Sequence, residues 1–468
     1  MTRPLIVALL AASALLTACA VGPDYKTPTA PTETLFKEAT GWTPSQPMDM
    51  LDRGAWWAGF NDPVLDGLEK RISVSNQTLI AQEAAYQQAS SALAQSQSGL
   101  FPTLGADASG SRSHADAQGA QIKTTSYSAG LTAAWSPDLW GKVRRQIEAA
   151  RANAQLSAAD LANVRLSLQA ALADDYFQIR ETDELNTILT ATVANYQRAL
   201  QLTQNQYNVG TAARADVMSA RTQLENAEAS LADLRQQRAQ LEHAIALLVG
   251  ETPANFSLAP GALAEGAPSA PLDLASTLLQ RRPDVASAER AVAAASAEIG
   301  VAMAAYFPAL SLSGSDSSAA SKVANLFKAG SASWAYGASA TESLIDFGAR
   351  QAAVRGAKGL YRQRLAQYRQ TVLAAFGNVE DQIAALRTLE EEVRLRDAAL
   401  SDARQAEAVI TNQYRSGLVA YSAVILAQNT SLTAAQSRVA TQRARLVASV
   451  GLIQALGGGW TRKDLPAG

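Results

Sequence analysis

The chain has 468 residues and a formal net charge of -2, which is enough length for two or three ordinary domains. This charge provides no basic field for nucleic acid, so no nucleic-acid partner is expected. The single cysteine and two histidines exclude an internal disulfide and a cysteine-based zinc cluster.

The N-terminus reads as a lipoprotein signal peptide over residues 1–18. Arg3 supplies the positive charge, and the apolar run 5–16 is the length of a signal-peptide core but too short to cross a bilayer. Cys19 follows small residues, as in a lipidation site, and a covalent lipid on it would anchor the chain without spanning the membrane. Ala20 follows rather than an aspartate, which favours the outer membrane. The alternative is an ordinary signal peptide with a chance cysteine.

The sequence repeats itself at a spacing of about 207 residues, and the matching segments keep their order. A tandem duplication therefore predicts the same architecture in each half. The pairs are Phe101-Pro102-Thr103-Leu104 with Phe307-Pro308-Ala309-Leu310, Leu139-Trp140-Gly141 with Asp346-Phe347-Gly348, and Gln206-Tyr207-Asn208-Val209-Gly210 with Gln413-Tyr414-Arg415-Ser416-Gly417.

Each half predicts a helix, two strands, a very long helix, a tight turn and another long helix. The first helix is predicted over 63–99, with Asp62 as its N-cap. Residues 142–208 contain no proline or glycine and predict a helix of about 100 Å, and 349–415 repeat it. Apolar residues at seven-residue spacing indicate left-handed supercoiling. An ordinary antiparallel coiled coil would explain these helices but not the segments between them.

The segments between the helices predict β-hairpins at 103–136 and 308–344. Tyr127 and Trp135 alternate with small polar residues, as do Trp334 and Tyr336, a pattern typical of membrane-facing barrel strands. A soluble hairpin could show the same alternation. Four strands per chain cannot close a barrel, so we expect oligomers. Three copies give twelve strands and two give eight, and counting does not choose between them.

Several motifs resemble those of the TolC-like outer-membrane efflux proteins, specifically the NodT-type lipoprotein branch of resistance-nodulation-division (RND) systems. The resemblance runs from Cys19 to Trp460. It rests on Cys19-Ala20-Val21-Gly22-Pro23-Asp24-Tyr25, Trp56-Trp57 with Asp62-Pro63 and Leu65, Arg282-Pro283-Asp284-Val285, and Ala455-Leu456-Gly457-Gly458-Gly459-Trp460.

This resemblance implies an α+β membrane protein that forms a homotrimer. Its twelve-stranded β-barrel would lie in the outer membrane, on an α-helical barrel that crosses the periplasm. The expected organisation is a lipidated equatorial segment at 19–62, a first repeat at 63–249, an equatorial linker at 250–274, a second repeat at 275–456 and a C-terminal tail at 457–468.

The resemblance also implies passive conduction of small molecules from an inner-membrane RND pump through a periplasmic adaptor. No P-loop, G-x-S-x-G or H-E-x-x-H motif occurs. We therefore expect no enzymatic activity, no catalytic residue, no metal and no cofactor besides the lipid. Two alternatives are a type I secretion duct for polypeptides, which shares the fold, and a periplasmic coiled-coil scaffold without a barrel. The cargo and the partner pump are not readable from the sequence.

The two helix–turn–helix tips are the predicted periplasmic gate and adaptor-docking sites. Gly210 and Gly417 suit the left-handed conformation that ends a helix. Asp216 matches an acidic position of the family's gate, with Arg214 as a salt-bridge partner, although aspartate is also favoured in any first helical turn. Tyr421 is proposed to help close the pore hydrophobically.

The second tip also departs from the family. It carries aliphatic side chains where relatives have acidic ones, namely at Val419, Ala423 and Leu426. The acidic ring at the constriction of many relatives is therefore not expected here.

Overall fold

A computed structural model describes residues 20–30, 36–39, 55–117, 120–266, 268 and 281–466. The predicted signal peptide and Cys19 lie outside these residues. No helix in the described ranges has the length and apolar character needed to cross a membrane.

Within the described residues, both halves contain a 22-residue helix, two strands, a very long helix and a shorter helix in the same order. The long helices have 67 residues and the helices after the tips have 35 residues in both halves, which confirms the predicted bounds 142–208 and 349–415. The first half contains α1 (Pro63–Ser75), α2 (Gln77–Ser98), β1 (Thr103–Ala117), β2 (Ala120–Trp135), α3 (Lys142–Asn208) and α4 (Arg214–Leu248). The second contains α5 (Pro283–Ala304), β3 (Ala309–Ala320), β4 (Ala332–Thr341), α6 (Ala349–Arg415) and α7 (Tyr421–Ala455).

The helix predicted over 63–99 is two helices, because Asn76 interrupts it in an extended conformation. Its side-chain oxygen accepts a hydrogen bond from the backbone N–H of Leu79, and its amide donates to the carbonyl of Leu248 at 2.7 Å. The predicted N-cap at Asp62 is confirmed, since its carboxylate accepts from Val64 and Leu65. Each new helix therefore begins with a satisfied cap.

The four strands form one antiparallel sheet in the order β1-β2-β3-β4. β2 and β3 join the two hairpins, with Trp135 opposite Leu312 and Tyr127 opposite Ala320. Within the described residues, β1 and β4 each pair along one side only. The sheet therefore has two open edges.

The buried core lies in the helices rather than in the sheet. One cluster packs α1, α3, α4 and α7 around Tyr176 and Phe177, together with the segment that holds Phe256 and Leu258. A second cluster joins α5, α6 and α7 around Val372 and Ile383. Both clusters therefore lie near the middle of the long helices, where the shorter helices pack against them.

Glu69 is an acidic residue on α1, the helix that supplies Leu65, Leu68 and Ile72 to the first cluster. Its side chain on α1 is fully buried, and within the described part of the chain neither carboxylate oxygen has a hydrogen-bond partner. Burial raises the pKa of Glu69 to about 9. The folded protein therefore holds this carboxyl protonated at neutral pH.

Replacing Glu69 with glutamine should stabilise the protein in a pH-dependent way. The pKa of Glu69 is higher in the folded chain than in the unfolded chain. The contribution of Glu69 to the free energy of unfolding is therefore most favourable below about pH 4, and it falls as the pH rises towards 9. Glutamine does not titrate, so the variant should gain on the order of 1–3 kcal/mol at pH 7 and little at pH 4. Thermal unfolding in detergent at both pH values measures the difference.

Glu228→Gln is the matched control, since Glu228 lies exposed on α4. An equal gain at pH 4 and pH 7 for Glu69→Gln would contradict a protonated buried carboxyl.

Candidate functional site in the sheet and at the helix tips

The strand register brings the four predicted membrane-facing aromatics to one face of the sheet. Tyr127 and Trp135 lie on the β2 face that pairs with Ala320 and Leu312. The β3–β4 register continues this face across the sheet. We call it the aromatic face, and it carries Leu104, Tyr127, Leu131, Trp135, Leu310, Leu312, Trp334 and Tyr336.

The aromatic side chains occupy two levels of this face. Trp135 is the last residue of β2, beside the helices, and its indole N–H donates to the carbonyl of Leu100 at 3.0 Å. Trp334 and Tyr336 stack with ring centroids 5.6 Å apart. Trp334 lies seven residues from the helix-side end of β4, about 24 Å along the strand. Two aromatic levels at such a separation are typical of the girdles of a membrane barrel.

Outside residues 117–122, the opposite face of the sheet carries small side chains and Asp107. Serine hydroxyls pair across the strands, as between Ser109 and Ser128 at 2.8 Å and between Ser317 and Ser333 at 3.1 Å. The aromatic face is strongly exposed, with Trp334 at 74% and Tyr336 at 83%. One face therefore carries the large apolar side chains, with Asp316 among them opposite Leu131 and Trp334, and the other face is small and polar.

The segment that follows Cys19 is fastened where the sheet passes into the helices. The backbone N–H of Val21 donates to the carbonyl of Trp140 at 3.0 Å, and Arg145 reaches Asp24 at 2.8 Å. Trp140 stacks on Phe307 with ring centroids 4.9 Å apart. Ala20, the neighbour of Cys19, therefore lies at the helix side of the sheet.

Both tips have the predicted left-handed glycines. Gly210 has φ 79° and Gly417 has φ 75°, and the N–H groups of Thr211 and Leu418 donate back to the last turns of α3 and α6. Asp216 accepts from the backbone N–H of Ala213 at 3.2 Å, so its carboxylate caps the first turn of α4. Arg214 is exposed.

Tyr421 lies inside the chain rather than on an open surface. It is 3% exposed and packs with Ala220 and Val424, and its ring centroid is 5.3 Å from that of Tyr414. Burial, followed by nearby Tyr414, Tyr196 and Asp216, raises the pKa of Tyr421 to about 12. Its phenol therefore serves as neutral packing between the two helical hairpins.

Two polar contacts at the tips were not predicted from the sequence. The hydroxyl of Tyr414 donates to the side chain of Gln206 at 2.6 Å, which joins α6 to α3. Gln223 donates to Asn429 at 2.6 Å, which joins α4 to α7. The sequence repeats Gln206-Tyr207 as Gln413-Tyr414, which marks the two tips as equivalent. The repeat does not show that a tyrosine of one half contacts a glutamine of the other half.

The described residues contain no group of three or more histidine, cysteine, aspartate or glutamate side chains arranged for a metal ion. The features that remain are the two-faced sheet, the long helices and the joined tips.

Comparison with known proteins finds similarity to outer-membrane efflux proteins throughout the chain. The family model described as outer membrane efflux protein matches residues 70–251 and again 274–458. The probable efflux pump outer membrane protein TtgC of Pseudomonas putida is 29% identical over 467 residues, covering 98% of this chain and 96% of TtgC. The pyoverdine export outer membrane protein OpmQ of Pseudomonas aeruginosa is 30% identical over 464 residues, covering 97% of this chain and 96% of OpmQ.

A solved structure shows the same fold. The outer-membrane channel OprN superimposes with a TM-score of 0.86 at 29% sequence identity, covering 94% of this chain and all of that chain.

Replacing Tyr414 with phenylalanine should loosen the tips without unfolding the chain. The variant keeps the ring contact with Tyr421 but loses the hydrogen bond to Gln206, a loss of about 0.5–1.5 kcal/mol. Amide hydrogen exchange in residues 199–225 and 406–430 should become faster.

Tyr207→Phe is the matched control, because Tyr207 occupies the equivalent position in the first half but is 42% exposed. Equal exchange rates in the two variants would show that the Tyr414 hydroxyl does not hold the tips.

Proposed function

The chain belongs to the outer membrane efflux protein family, and we propose that its homotrimer is the exit duct of a tripartite RND-type efflux system. The observation that carries this proposal is the two-faced sheet mounted on helices of 67 residues. Helices of this length extend about 100 Å. A sheet that suits a bilayer, joined to helices of periplasmic length, is the geometry of a duct.

Closure of the sheet requires more than one copy. Backbone groups on an open strand edge find no partner in hydrocarbon, and the chain has two such edges. Three copies close twelve strands into an outer-membrane β-barrel, with the aromatic face towards lipid. The two successive matches to one family model and the equal helix lengths support a tandem duplication.

The waist of the helical barrel is proposed to be built from 19–62, 250–274 and 457–468. The middle segment supports this placement, since Arg238 donates to the carbonyl of Leu258 at 2.6 Å and Arg180 to that of Ala259 at 2.7 Å. Two arginines thus fasten the linker onto α3 and α4. On this proposal the two repeats are residues 63–249 and 275–456, which lie on either side of the linker 250–274.

The tips are proposed to meet the periplasmic adaptor and to form the gate. In the closed form, the Tyr414–Gln206 and Gln223–Asn429 contacts hold the two helical hairpins together. Opening separates the hairpins and exposes the buried Tyr421. In the closed form, the exposed aliphatic side chains Leu418 and Leu426, at 74% and 70%, supply the apolar constriction, and the buried Tyr421 supports it from behind.

Energy and cargo choice belong to the partner pump, so the duct needs neither enzymatic activity nor a cofactor beyond the lipid on Cys19. OpmQ is described as a pyoverdine export protein and TtgC as part of an efflux pump. A passive pore of one architecture can serve different small molecules, because the pump decides what enters it.

Conductance in a planar lipid bilayer tests the duct directly. The purified full-length protein should insert as a trimer and show rare, small openings, since the tips are held closed. Tyr421→Ala should open more often, while Tyr207→Ala, at the exposed tip position that corresponds to Tyr414, should behave like the parent. A protein that stays monomeric, leaves the bilayer silent and is water-soluble once delipidated would instead be a periplasmic scaffold.

Replacing Cys19 with serine should abolish lipid attachment without destroying the channel. The thiol is the acylation site, whereas Val21 and Asp24 still fasten the segment to Trp140 and Arg145. Incorporation of labelled palmitate, with membrane fractionation, measures both effects. Labelled lipid on the Cys19→Ser protein would contradict the assignment.

A further inference from the structure

A pocket close to the helix tips has the lining of a binding site for a small organic anion. It lies between α3 and α6, with buried residues of α7 as its floor, and its volume is about 420 Å³. Pockets of this size hold ligands of drug-like dimensions. We propose that this pocket binds an aromatic carboxylate, and that the bound molecule holds the two helical hairpins together. The site does not rest on the proposed duct, since one chain supplies every lining residue.

The charge of the lining favours an anion. Among the described residues that line the pocket, three are arginines and one is acidic, namely Arg198 on α3 and Arg404, Glu407 and Arg415 on α6. Arg415 lies in the last turn of α6, where the helix dipole favours a cation. Arg198 donates only to Asn195 of its own helix, and within the described residues Arg404 has neither an ion pair nor a hydrogen bond. Guanidinium groups in this state are suited to bind a carboxylate.

Arg198 and Arg404 stand at one level of the pocket. The hydrogen bond between Tyr414 and Gln206 shows that α3 and α6 run side by side with an offset of 208 positions. Arg198 is therefore level with position 406 of α6, which is about 3 Å along the helix from Arg404. One carboxylate at this level can accept hydrogen bonds from both guanidinium groups.

Gln428 adds a polar group without a partner at the floor of the pocket. This residue of α7 is 8% exposed, and within the described part of the chain its Oε1 has no hydrogen-bond partner. A buried polar atom without a partner destabilises the folded protein, so its presence calls for an explanation. When the side-chain amide turns over, its NH₂ group takes the place of Oε1 and can donate to a bound carboxylate. A ligand held by the arginines would therefore satisfy Gln428.

Two tyrosine rings form the apolar end of the pocket, nearer the tips. Tyr414 and Tyr421 both line it, with ring centroids 5.3 Å apart. Tyr421 precedes Gln428 by seven residues on α7, about 10 Å along the helix. A molecule with fused aromatic rings and one carboxylate spans this distance. Its rings would pack against the tyrosines in an offset or edge-on arrangement, and its carboxylate would reach Arg404.

Such a ligand would connect the two helical hairpins. Arg198 belongs to the hairpin of α3 and α4, whereas Arg404 and Gln428 belong to the hairpin of α6 and α7. A molecule that contacts all three residues binds more tightly when the hairpins are together. Binding therefore shifts the population of the protein towards the joined form of the tips.

Equilibrium dialysis of the full-length protein in detergent, with 2-naphthoate as the probe, tests the site. 2-Naphthylmethylammonium has the same rings and a positive charge, so it measures uptake by the micelle. Arg404→Gln should weaken naphthoate binding about tenfold or more, because hydrogen bonds to a charged group are lost. Arg394→Gln is the matched control, since Arg394 lies exposed on the same helix outside the pocket, and it should bind naphthoate like the parent.

Gln428→Met separates ligand binding from packing. Methionine has a similar volume and removes the unpartnered oxygen, so the variant should unfold at a higher temperature than the parent when no probe is present. The same variant should bind naphthoate more weakly than the parent, because it cannot donate to the carboxylate. A residue that served packing alone would not combine these two effects.

Amide hydrogen exchange measures the effect on the tips. Saturating naphthoate should slow exchange in residues 199–225 and 406–430 of the parent, and the same concentration should have little effect on Arg404→Gln. Equal naphthoate affinity in the parent, Arg404→Gln and Gln428→Met proteins, or equal uptake of the cationic probe, would overturn the site. Specific binding that leaves exchange at the tips unchanged would overturn the joining of the hairpins. Conductance without naphthoate tests the duct separately.

Discussion

Backbone hydrogen bonding in lipid is the constraint on which the rest of this structure depends. A bilayer offers no water to an open strand edge, yet each chain supplies four strands and two open edges. In the proposed duct, the chain satisfies these edges by pairing with copies of itself. The assembly of subunits is therefore proposed to be the same event as the closing of the sheet in the membrane.

The helices below the sheet follow from this arrangement. In the proposed trimer, the equal lengths of 67 residues in α3 and α6 would let six such helices, two from each copy, stand side by side as one tube. At the far end, the Tyr414–Gln206 contact links the two halves where the tube is proposed to narrow.

Local signals in the sequence predicted the element bounds well. Gly141, Gly210, Gly348 and Gly417 delimit proline-free runs, and all four have positive φ at the ends of the long helices. Alternation placed the aromatics on one face because side-chain direction in a strand has period two. The sequence did not predict the break at Asn76, since its amide is held by the carbonyl of Leu248 on a distant helix. The burial of Tyr421 likewise depends on α3 and α4, far away along the chain.

Electron microscopy of the purified full-length protein in detergent tests the central claim most directly, because it shows the number of copies and the closure of the sheet together. The account predicts three-fold particles well over 100 Å long, with a short closed barrel at one end and a helical tube narrowing at the other. Single rods with an open sheet and no detergent belt would contradict it.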